Sequence, residues 1–209
     1  MARVTTKTGV SNLTASLLKI EPVTNIDPPD SGSKFARQCN IWYDETRREV
    51  LSESDWDCAK KRAQIAADAT APAFGWANRF LLPADFLRIS TINDEKIPDT
   101  DYEIEDGYLL INEDGPLNFR YIFDQEDITK WSPKLLQCVA RKLAANTAYT
   151  MTGNRTFQQE KEEEYRIYLS EGMTIDAQQN PPKKVQKSKW KLAKEAGLAG
   201  GNTAGRIVV

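Results

Sequence analysis

Leu117, Phe119, Tyr121 and Phe123 fall at every second position of LNFRYIF, and such strict alternation marks a β-strand with one buried face. Just upstream, DYEIEDGYLLI places an Asp-Gly pair between two short runs, the strongest local cue for a hairpin. A second turn, NEDGP, separates that hairpin from the alternating run, so residues 101–123 are expected to form a three-stranded antiparallel meander. FLRISTI, with Phe86, Ile89 and Ile92 as its apolar members, extends the β region to 86–123. A chain with this centre must cover the buried face of a small sheet.

Helical patterns on both sides supply the cover. Val10, Leu13, Leu17 and Leu18 predict a short helix over 8–20, and the proline-rich EPVTNIDPPDSGS that follows reads as a loop. Phe35, Cys39, Trp42, Thr46 and Val50 predict a long amphipathic helix from Lys34 to about Ser54, N-capped by Ser31 or Ser33. Its outer face is read as Asp44, Glu45, Arg47, Arg48 and Glu49. DWDCAKKRAQIAAD is read as extended. Ser132 and Pro133 are the expected start of a third helix, whose stripe is Leu135, Leu136, Val139, Leu143 and Thr147. After Gly153-Asn154, Thr156 and Gln159 fit a capping box for a last helix over roughly 155–171, with Phe157, Tyr165, Tyr168 and Leu169 inward. The fold class is therefore α+β: a helical bundle-like core, a small antiparallel β-sheet and an extended C-terminal arm.

Composition bounds the function. At 209 residues, 40% hydrophobic and 28% charged, the chain suits one soluble body with a tail. Neither a membrane-spanning apolar run nor the apolar core of a signal peptide is visible, so residence in a cytoplasm is the expectation. Cys39, Cys58 and Cys138 are widely spaced and read as buried free thiols. Histidine is absent, which removes His-based triads, His-containing zinc sites and the commonest general base. Carboxylate chemistry with Mg²⁺ remains open, but the balance is against an enzyme, and no cofactor is expected.

Charge divides the chain. Residues 181–209 carry Lys183, Lys184, Lys187, Lys189, Lys191, Lys194 and Arg206 against Glu195 alone, a net +6, which leaves −8 on residues 1–180. The domain reading follows: a body over 1–180 and a basic arm over 181–209. The arm admits three uses: nucleic-acid binding through released counterions, solubilisation, or ordering onto a protein partner. Trp190, Leu192, Ile207 and Val208 favour the partner, because such residues anchor in grooves. Glu160, Glu162, Glu163 and Glu164 read as a solvated helix face, since largely consecutive carboxylates do not converge on a metal. An acidic pore lining that repels DNA phosphates is a further reading of the same residues.

FGWANRFLLPADFLRIS, residues 74–90, reads residue by residue as a strand, a turn and a strand, with Phe74, Trp76, Phe80, Leu81 and Leu82 filling the interior. Together with WDCAKKRA at 56–63 and the β region after it, the order of features resembles the head-to-tail adaptor proteins of tailed bacteriophages, the group that includes the tail tubular protein A of short-tailed phages. Trp56, Ala59, Leu82, Pro83, Asp85, Leu87 and Arg88 occupy the matching places, over a resemblance spanning roughly 8–175. Cys58 departs from it, standing where an aromatic residue is usual.

The resemblance implies a non-enzymatic virion protein, made in the host cytoplasm and placed at the head–tail junction. A dodecameric ring would join the portal protein to the downstream tail or nozzle protein, with DNA passing through its lumen without specific binding. The arm would dock on the portal. Trp56, Pro83, Asp85 and Arg88 would be framework, with Asp85 pairing with Arg88 or capping exposed backbone N–H groups. The alternative is a nucleic-acid-binding accessory protein that uses its basic tail.

Overall fold

A computed structural model describes residues 4–95 and 101–179. The chain divides into two units: the first comprises Met1–Asp176, and of the second, Ala177–Val209, only the residues to Gln179 are described. Among the described residues there are four α-helices: α1 (Lys7–Leu18), α2 (Lys34–Glu53), α3 (Pro133–Thr152) and α4 (Arg155–Gln179). Between α2 and α3 run six strands: β1 (Lys60–Ile65), β2 (Asn78–Leu81), β3 (Phe86–Ile92), β4 (Tyr102–Glu105), β5 (Tyr108–Ile111) and β6 (Leu117–Phe123). The α+β class and the positions of the helical layers are as the sequence implies.

The caps explain where the helices begin. Ser33, rather than Ser31, accepts from the Ala36 N–H at 3.1 Å to open α2, and Ser132 accepts from Leu135 to open α3. Gly153, at φ 69°, ends α3 in the left-handed conformation that favours glycine. The start of α4 differs from expectation: Asn154 accepts from the Phe157 N–H at 3.2 Å, so this residue caps the helix in place of the Thr156–Gln159 box. Nor does α4 stop near Gly172; it runs to Gln179.

α3 is the hub, packed against by both α1 and α2. Its predicted stripe is buried throughout. The Thr14 hydroxyl of α1 donates to the Ala140 carbonyl at 3.0 Å, which brings the two backbones close. On α2 two assignments change. Tyr43 is buried in the stripe and Trp42 is 40% exposed, because Phe35, Cys39, Tyr43, Thr46 and Val50 make the tighter set of successive turns. Arg47, expected outside, is 3% exposed, since Asp124 accepts from its Nε at 2.7 Å and its Nη2 at 2.8 Å.

The strands form two three-stranded antiparallel sheets, in the orders β1-β6-β3 and β2-β5-β4. The Asp106-Gly107 turn makes the expected β4–β5 hairpin, but β6 leaves it, so the meander is corrected to two sheets. Length and burial give the reason. β6 has seven residues and is matched by β3 with seven and β1 with six, whereas β5 has only four. β6 also buries residues on both faces: Phe119 and Tyr121 join Phe80 and Leu109 in a core drawn from both sheets, while Ile122 joins the helical core. A strand covered on two sides belongs in the centre of a sheet.

Among the described residues, no helix is long and apolar enough to cross a membrane.

Candidate functional site

The Leu-Pro-Ala-Asp stretch is the turn between the sheets. The Leu82 N–H donates to the Gly107 carbonyl at 2.9 Å, closing the second sheet. The Phe86 N–H then donates to the Pro83 carbonyl at 3.0 Å, and the chain enters β3 of the first. Pro83 thus stands at the head of a tight turn, and Asp85 lies within it. Of the aromatic segment before it, Phe80 and Leu82 are buried, whereas Phe74 is 89% exposed and Leu81 is also exposed. The segment only partly fills the interior. The alternation in β2 sends Leu81 outward once Phe80 is in the core.

Asp85 pairs with Lys61 of β1 at 2.5 Å and accepts from the Tyr121 hydroxyl of β6 at 3.0 Å. Its backbone carbonyl accepts from the Asp124 N–H at 3.0 Å. One residue therefore ties the turn to two strands and to the exit of the sheet. Burial works against ionisation of Asp85, but the hydrogen bonds from Lys61 and Tyr121 prevail and hold its carboxyl below the ordinary range. Burial, and then the Asp85 carboxylate, push the Tyr121 phenol up to about 12.

Arg88 does not pair with Asp85. The two lie three residues apart across the entry to a pleated strand, and Arg88 instead meets Asp55, which also accepts from the Ser90 hydroxyl at 3.2 Å. Asp55 follows the end of α2, so this contact joins the first sheet to the helices. Trp56, next to it, is fully buried, and its indole donates to the Val50 carbonyl at 2.9 Å. Lys61, Tyr121 and Asp55 were not legible as partners, because their roles depend on strand register.

The acidic residues of α4 are not one uniform face. Glu160 and Glu163 are exposed, whereas Glu162 meets Lys142 at 3.4 Å and Glu164 meets Lys161 at 2.7 Å. Among the described residues no group of three His, Cys, Asp or Glu side chains is placed to hold a metal ion. The three cysteines are free thiols: Cys39 and Cys138 are buried and Cys58 is half-buried. Burial pushes the Cys39 thiol up to about 12. Lys183, Lys184, Lys187, Lys189, Trp190, Lys191, Leu192, Lys194, Arg206, Ile207 and Val208 lie outside the described residues.

Comparison with protein-family models and with curated proteins finds no match.

Proposed function

We propose that this chain is a structural adaptor of a tailed bacteriophage, forming a dodecameric ring between the portal and the next tail component. The observation that carries this reading is the use to which the Leu-Pro-Ala-Asp-Phe-Leu-Arg string is put. Asp85 joins its turn to β1 and β6, and Arg88 joins β3 to the end of α2. The residues that carry the resemblance are therefore committed to framework, as befits a protein whose work is to hold a shape. The arm, with its net +6 and its Trp190 and Ile207-Val208 anchors, supplies the portal contact, and the acidic body keeps the DNA in the lumen unbound.

The basic composition of 181–209 favours nucleic-acid binding as the second reading. Electron microscopy of the protein mixed with its cognate portal separates the two. Rings seated on the portal support the adaptor. A protein that leaves the portal bare, yet binds duplex DNA with an affinity that falls steeply with salt, supports the alternative.

A further inference from the structure

The outer face of the second sheet carries a cup that the adaptor reading leaves without a role. Strand register sets Arg79, Leu110 and Glu103 in one row across β2, β5 and β4, with Leu81, Tyr108 and Glu105 in the next. Leu110 belongs to neither hydrophobic core, yet it is only 5% exposed. Segment 72–76 arches beside it, turned at Gly75 (φ 85°) and tied to β4 by the Trp76 indole, which donates to Glu103 at 2.9 Å. The half-open space is about 460 Å³ and is lined by Leu110, Trp76 and Tyr108 among others. Phe74, at the rim, is 89% exposed.

Its charge is unbalanced. Glu103, Glu105 and Asp106 line the cup against Arg79 alone. Arg79 is already engaged, stacked 4.6 Å from the Tyr108 ring centre and paired with Asp68 at 3.3 Å. Among the described residues, Glu105 and Asp106 face no cation within pairing distance. Carboxylates beside aromatic faces attract cations and repel phosphates, and an apolar lining suits the methylene stem of a long basic side chain. A free ammonium ion would leave the exposed Phe74 uncovered, whereas a peptide carrying the cation covers it.

We propose that this cup docks a lysine- or arginine-bearing peptide segment of a different protein. The basic side chain lies along Leu110 and Tyr108 with its charged head at Glu105 and Asp106, and Phe74 closes over the segment. Recognition is by charge and aromatic contact, and so is sensitive to salt.

The test uses the full chain with ¹⁵N-labelled tryptophan and a blocked tetralysine peptide as probe. The Trp76 indole resonance, assigned through Trp76→Phe, should move saturably with the peptide and not with tetraglutamate. Glu105→Lys should weaken binding about tenfold, the size of effect expected for reversing one rim charge. Tyr108→Leu, which keeps the charge and removes an aromatic ring, should weaken it several-fold, with thermal melts showing both variants folded. A Trp76 signal that ignores tetralysine, or that responds equally in Glu105→Lys, overturns the proposal. So does a signal that shifts with protein concentration alone, which would assign the cup to a second copy of this chain.

Discussion

Trp56 and Gly172 meet across the fold so closely that a Cβ on Gly172 would lie 3.0 Å from Cη2 of the indole. The tryptophan follows α2 in the chain and the glycine sits inside α4, so this contact fixes how the last helix passes the end of the second. It also explains why a glycine is tolerated within a helix, where it ordinarily costs about 1 kcal/mol relative to alanine. Gly172→Ala should therefore destabilise the protein in spite of the better helix propensity. A raised melting temperature would show that the indole has room to move.

Trp56→Ala removes the other partner. The ring is fully buried and its N–H is bonded to the Val50 carbonyl, so the loss should be on the order of 3–5 kcal/mol in urea unfolding. A variant that melts within a degree or two of the parent would mean that the ring contributes little to folding and serves an interface.

Arg47 offers a separate test of the seam between α2 and the exit of β6. Its side chain is 4% exposed and Asp124 accepts from both its Nε and Nη2. Asp124→Ala takes the acceptor from two of its N–H groups while leaving the guanidinium Asp44 at 2.6 Å and Glu126 at 3.5 Å, so a loss of about 1–3 kcal/mol is expected. Arg47→Met, which removes the charge while keeping the stem, should cost less. The ranking of the two variants by denaturant midpoint is the measurement, and the reverse order would sink the argument.

Two aspartates should respond to acid in opposite senses. The folded state holds Asp85 below its ordinary range, so its contribution is present above the unfolded carboxylate value of about 3.9 and is lost as pH falls through the folded value. Asp176 is raised, first by burial and then by the nearby Asp57 charge, although it accepts from the Asp57 N–H at 3.1 Å. A raised carboxyl binds its proton more tightly when folded, so it disfavours folding above its folded value and relaxes as pH falls. Asp176→Asn, which keeps the acceptor oxygen, should then stabilise the protein at neutral pH, and Asp85→Asn should destabilise it there. Melting the pair from pH 3 to pH 8 checks both signs.

These partners show what a sequence read residue by residue reveals. The start of α3 was legible because its capping is local: Ser132-Pro133 announces it without reference to anything distant. The β4–β5 hairpin was legible for the same reason, through Asp106-Gly107. The place of β6 was not, because strand neighbours depend on which lengths and buried faces match across some sixty residues of chain. Arg47 looked external until Asp124, distant in sequence, was placed beside it. The cup beside β5 left a trace in the sequence as the aromatic FGWANRF, but its acidic side comes from β4 and from the turn after it.

The arm carries the most decisive prediction about function. Residues 181–209 contain too few apolar residues to support a fold of their own, and Pro181-Pro182 cannot continue a helix by donating to it. The ion pairs that involve Asp85, Arg88 and Arg47 all lie within the body. Removing 181–209 should therefore leave circular dichroism over the helical and sheet bands, and the melting temperature, as they are in the full chain. Charge argues the other half. A body at −8 repels its own copies, so the free protein should be mainly monomeric, and on the proposed reading alignment on a portal would come from the oppositely charged segment. The truncated protein should accordingly fail to form rings on the portal, whereas the full chain should form them at moderate salt. On the proposed reading its lysines would steer the approach and Trp190, Ile207 and Val208 would hold the bound state, so Trp190→Ala should mainly raise the dissociation rate. Rings assembled by the truncated protein with undiminished affinity would end the arm hypothesis. A truncation that spares the rings and removes only DNA binding would transfer the arm to nucleic acid.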